Sequence, residues 1–133
     1  MKQVKLLVMK LLGIMTRLIA EITSSKMVFV NDLPIHVKLF VQKHFPLQAI
    51  SFVEHKDKEY EIYLNNGTEV NFTEDGIWKN IDCKQQAVPA SLLPEKAVTL
   101  VKSLFDDALI VKVGKIKQGY EVTLSNAICL KTA

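Results

Sequence analysis

The hydrophobic and polar positions of this chain fall into two copies of one pattern, sixty residues apart. Leu33-Pro34 matches Leu93-Pro94, Phe45 matches Phe105, Ile50 matches Ile110 and Val53 matches Val113. Tyr60-Glu61, Leu64 and Asn66 match Tyr120-Glu121, Leu124 and Asn126, and no gap is needed. A period of this length marks a duplicated supersecondary unit.

Within each copy the apolar period changes once. After Leu33-Pro34, the positions Val37, Phe40, Val41 and His44-Phe45 recur at helical spacing, with Asn31 or Asp32 as a cap and Pro34 in the first turn. Pro46 ends that helix, since it has no N–H to give and crowds the preceding turn. In the second copy Ser91 or Pro94 opens a helix carrying Ala97, Leu100, Val101, Leu104 and Phe105. The period then becomes two. Ser51, Val53 and His55 face one way, and Phe52 and Glu54 the other. Tyr60, Ile62 and Leu64 alternate with Glu61 and Tyr63; Thr68, Val70 and Phe72 follow the Asn66-Gly67 turn, and Ile77 to Ile81 forms a fourth strand. The second copy has matching strands around Val111-Val113, Tyr120 to Leu124 and Ile128 to Lys131. It stops short of a fourth strand, so an exposed edge is expected near the C-terminus.

The expected architecture is therefore α+β, a tandem repeat of a helix followed by an antiparallel meander. Four strands are expected in the first unit and about three in the shorter second, which together form one compact domain. Residues 27–84 and 85–133 are the two units. Residues 1–26 form a leader or an amphipathic helix. Lys2 and Lys5 precede apolar runs in the manner of an export signal, whereas Leu7, Leu11, Met15, Leu18 and Ile22 fall on one helical face.

Charge narrows the function classes. The chain carries a formal +3, but five basic residues against Glu21 concentrate a net four positive charges in residues 1–26, leaving the body about one negative. No Lys/Arg block marks a phosphate-tracking surface, so nucleic acid is not an expected partner. Membrane contact is expected only through an uncleaved N-terminal segment, because no run has the ~18–20 apolar residues of a span.

The Leu-Pro helix, the Tyr-Glu-x-x-Leu-x-Asn-Gly hairpin and the Asp75 to Trp78 turn resemble the PepSY-like family of gut Bacteroidetes. So does the linker from Cys83 to Pro89, which leads to a second Leu-Pro. The resemblance covers about residues 31–127. It implies a small exported protein, periplasmic or secreted, whose fold is similar to that of the β-lactamase-inhibitor protein. It implies a binding or inhibitor-like role and brings no catalytic residues.

Chemistry-bearing residues are sparse. His36 and His44 are two helical turns apart, about 12 Å from the helical rise, too far to share a metal. Glu54, Glu61 and Glu69 project from one sheet face, as a solvated face ordinarily does. Cys83 and Cys129 lack a C-x-x-C partner, and their pairing is left open. Asn66 and Asn71 fit glycosylation sequons but read as a turn and a strand. No catalytic residue, metal ligand or cofactor is expected. The candidate binding residues are Phe52 and Tyr63, with Trp78 beside them. Phe52 and Tyr63 lie opposite the helix-packing face, where the second copy has Lys112 and Thr123. The reading is a non-enzymatic exported or envelope-associated protein that presents its open sheet face to a protein or peptide. The alternatives are a small-ligand carrier with the N-terminal helix as lid, and an uncharacterised enzyme.

Overall fold

A computed structural model describes residues 25–132. The chain runs through β1 (Ser25–Val28), α1 (Ile35–His44), β2 (Ile50–Lys56), β3 (Glu59–Leu64), β4 (Glu69–Thr73) and β5 (Trp78–Asp82). It continues through α2 (Glu95–Leu104), β6 (Ile110–Ile116), β7 (Gly119–Leu124) and β8 (Cys129–Thr132). All eight strands form one antiparallel sheet in chain order, with α1 between β1 and β2 and α2 between β5 and β6.

The register explains the core. One row of paired positions crosses the whole sheet: Val28, Val53, Ile62, Val70, Ile81, Val113, Val122 and Leu130. Six of these, from Val53 to Val122, are fully buried. Val37 and Val41 of α1 and Ala97 and Val101 of α2 close over them in the same cluster. Phe40 of α1 meets Phe72 of β4 edge-on at 5.0 Å. Burying each such side chain contributes roughly 1.5–3 kcal/mol, which is why the period-two positions are held on this side.

The α+β class and the two helices agree with the sequence pattern, and three features go beyond it. The expected N-terminal helix lies outside the described residues, except that Ser25 and Lys26 stand in β1 rather than in a helix. The two meanders are not separate sheets, because β5 pairs with β6 as well as β4. Finally, Val28 faces Val53 just as Ile81 faces Val113. Since Val53 and Val113 are sixty apart, β5 holds the place before α2 that β1 holds before α1. Four strands follow α1 and three follow α2 among the described residues, as the pattern predicts, and β1 is an additional strand at the start of the sheet.

The local turn chemistry also differs from expectation. Neither helix has a side-chain cap; each is entered from a short 3-10 turn, Val30–Asp32 or Ala90–Leu92, through Pro34 or Pro94. The Asn-Gly turn takes its positive φ at Gly67, +90°, and the equivalent Ala127 is forced to +70°. A Cβ in this left-handed region costs about 1–2 kcal/mol. Ala127→Gly is therefore expected to stabilise the protein by about 0.5–1 kcal/mol, and Gly67→Ala to do the reverse. Urea melts of the two variants check this. Among the described residues no helix is long and apolar enough to cross a membrane.

Candidate functional site

The sheet face turned away from the helices is built by the alternate positions. One row on it pairs Phe52 with Tyr63, Tyr63 with Glu69, Glu69 with Asp82, Asp82 with Lys112 and Lys112 with Thr123. The next row pairs Glu54 with Glu61, Glu61 with Asn71 and Asn71 with Asn80, then passes Gly114 and Glu121. A register shift between Ile50 and Phe52, repeated between Ile110 and Lys112, gives the two halves the same frame.

Phe52 and Tyr63 stack face to face, 4.1 Å between centroids and 14° between planes. Phe52 is 37% exposed. The structure thus brings these two expected residues together on the open face. It does not bring Trp78 to them. A register shift at Asn71/Phe72 pairs Trp78 with the buried Phe72, so the indole lies on the helix side and packs against the core. There it stacks near Tyr120, 6.3 Å away, under Lys115 Nζ, 4.2 Å from the ring centroid. Expecting Trp78 beside the aromatic pair was incorrect, and the bulge is the reason: one extra residue in β5 reverses the side-chain parity.

The expected carboxylates do share the open face. Glu54 and Glu61 stand directly opposite each other, and Glu69 stands opposite Tyr63. Lys79 pairs with Glu59, and Lys84 lies 3.3 Å from Glu69 and 3.4 Å from Asp82. Between them is an open groove of about 320 Å³ lined by Glu61, Glu69, Asn71, Asn80, Asp82 and Lys112. Burial raises the pKa of Glu61, and the negative charges of Glu69 and Glu54 raise it further. Burial, and then the charges of Glu61, Glu54 and Glu69, push Tyr63 up to about 12. Asn80, Asp82 and Lys84 were not singled out from sequence, and Asn71 was read only as a strand residue within a sequon. Strand alternation was the signal for Asn80 and Asp82, and it is shared by any solvated sheet face.

A raised carboxyl pKa has a definite consequence for stability. Ionising Glu61 costs the folded state more than the unfolded chain, so its contribution is most favourable below the ordinary carboxylate pKa. That contribution falls as pH rises through the elevated folded value. Glu61→Gln is expected to raise the melting temperature at pH 7 by on the order of 2 °C, with the difference vanishing near pH 4. Thermal melts across that range are the check.

The remaining titratable groups lie elsewhere. His44 Nδ1 is 2.8 Å from Ser91 Oγ, and its pKa is lowered by burial and then by Lys43. His55 stacks on Tyr60 at 4.5 Å and lies 3.8 Å from Glu74, and His36 sits beside Gly76. Both thiols are free. Cys83 is buried, which pushes its thiol pKa up, and Cys129 is exposed on β8. Among the described residues no group of three or more His, Cys, Asp or Glu side chains is placed to hold a metal ion.

The family model described as "Putative beta-lactamase-inhibitor-like, PepSY-like" matches the chain twice, over residues 20–69 and 58–133. Several solved structures resemble it, among them three from Bacteroides. One is a "putative calcium-regulated periplasmic protein" from Bacteroides thetaiotaomicron, 29% identical, with a TM-score of 0.77 over 82% of this chain and 89% of that one. A second is a periplasmic protein of unknown function from Bacteroides vulgatus, 26% identical, with a TM-score of 0.77 over 81% and 90%. The third, a periplasmic DUF2874-family protein from Bacteroides vulgatus, is 32% identical, with a TM-score of 0.72 over 81% and 90%. The curated proteins provide no match. The solved relatives are periplasmic, and so is this protein. Matched over most of its length by two copies of one model, the chain belongs to the PepSY-like family.

Proposed function

We propose that this protein is a non-enzymatic binding protein of the periplasm, inhibitor-like in mode, whose open sheet face contacts a protein or peptide. The observation that carries this reading is the Phe52–Tyr63 stack, held on a sheet face that neither helix covers. Rigid aromatic groups give large contact area at small entropic cost and dominate interface energetics. Lys112 and Thr123 at the equivalent place make the surface one-sided, which suits a single contact patch.

Two features weigh against the alternatives. A ligand carrier needs an enclosed apolar space, whereas the helix-side interior is filled by fully buried Val37, Val53, Ile62, Phe72 and Val113. An enzyme using the carboxylates needs them in a closed cleft near other reactive groups, whereas Glu54, Glu61 and Glu69 line an open face, and His44 and His55 lie against Ser91 and Tyr60 away from them. The test is capture from a periplasmic extract with the full chain, native and Phe52→Lys/Tyr63→Thr. The expected outcome is a partner held by the native chain and lost by the variant. A partner held equally by both counts against the reading.

A further inference from the structure

Comparison of equivalent positions in the two halves points to the chemistry of the partner. In the first half the pair Phe52–Tyr63 is accompanied by Glu54, Glu61 and Glu69. Sixty residues on, the same places hold Lys112, Thr123, Gly114, Glu121 and Cys129. The scaffold is shared, but the first set carries three negative charges and two aromatic rings, and the second is neutral overall with none.

The first half gathers like charges on neighbouring strands. Like charges directly opposite on a sheet repel, and Glu54 faces Glu61 in that position. Glu61 also neighbours Glu69, whose Lys84 contact is shared with Asp82. The second half avoids the conflict, since Gly114 faces Glu121. The side-chain oxygen of Asn71, opposite Glu61, is buried without a hydrogen-bond partner on the same groove. Glu61, Glu69 and the Asn71 oxygen line the same groove as acceptors, beside the rings, and so suit N–H donors with a positive charge on an apolar stem that can lie on those rings. Cations favour aromatic faces, and a guanidinium or ammonium desolvated beside carboxylates forms the strong class of hydrogen bond.

Given the open-face reading above, we propose that the first half of that face receives an arginine or lysine side chain of the partner. Its stem lies on the Phe52–Tyr63 stack and its charge sits over Glu61 and Glu69. The partner is thus a protein or peptide with a protruding basic residue. An acidic or purely apolar surface does not fit.

The probe is a set of flexible twelve-residue peptides, identical except that three positions are all Arg, all Lys, all Gln or all Glu. Each is titrated into the full chain and followed by backbone NMR. Arg and Lys peptides should shift Phe52, Glu61, Tyr63 and Glu69, with at least tenfold weaker binding by the Gln peptide and none by the Glu peptide. The binding should weaken tenfold in Glu61→Gln/Glu69→Gln, and weaken with salt. If Gln or Glu peptides bind that face as well as Arg peptides do, the cationic proposal falls while the open-face reading stands. If every peptide leaves those residues unshifted, or shifts only other surfaces, the cationic proposal is overturned. The open-face reading is then judged separately by the captured partner's response to Phe52→Lys/Tyr63→Thr.

Discussion

Phe72→Ala is expected to remove about 3–5 kcal/mol of stability, the ordinary cost of emptying a buried aromatic site. Phe72 is fully buried in β4, next to its last residue. It is the point where the first helix locks onto the sheet, through the edge-on contact with Phe40. It also pairs with Tyr60 on one side and Trp78 on the other, so its ring ties α1, β3 and β5 together. No neighbour can move in to fill the space without disturbing one of those pairings. Against a total of ~5–15 kcal/mol, the loss should lower the melting temperature by about 15 °C, and near the lower bound the variant will not fold. Leu47→Ala, at an almost fully exposed site in the turn after α1, should change stability by less than ~0.5 kcal/mol. Thermal and urea melts of the two variants make the comparison. Equal, small effects would mean that α1 does not pack as described.

The second large effect concerns binding rather than folding. Phe52→Lys/Tyr63→Thr gives the first half the residues that the second half already carries at Lys112 and Thr123. The register shifts are the same in both halves, so the substituted strands have a native precedent for their backbone. Losing a stacked pair costs about 0.5–1.5 kcal/mol, and the variant should stay folded with a melting temperature a few degrees lower. Partner affinity should fall much further, by 2 kcal/mol or more, about thirtyfold, because both rings are truncated at the centre of the proposed patch. The split between a small stability change and a large affinity change separates an interface role from a core role.

Much of this fold was legible in the sequence, because its main signals are local. Period-two alternation identified Val53, Ile62, Leu64, Val70 and Phe72 as inward-facing, and all are buried. Helical spacing identified Val37, Val41, Ala97 and Val101 in the same way. What escaped was non-local. Ser25–Val28 is too short to show a period, and it becomes a strand only by pairing with β2, some thirty residues on. The role of β5 depends on its second partner, β6, across the helix α2. The side chosen by Trp78 depends on a single bulge residue, which alternation cannot reveal. At the candidate site the aromatic pair was legible, because Phe52 and Tyr63 interrupt an otherwise polar face. The polar residues around them were not, because Asn71, Asn80 and Asp82 look like any solvated strand until the register sets them around one groove.

The most direct test is the affinity of a captured periplasmic partner for the native chain and for Phe52→Lys/Tyr63→Thr, measured side by side with both proteins shown folded by melting. The expected result is a dissociation constant at least about thirtyfold weaker for the variant. A partner that binds the folded variant within twofold of the native chain would contradict the assignment of the first half's open sheet face as the binding site.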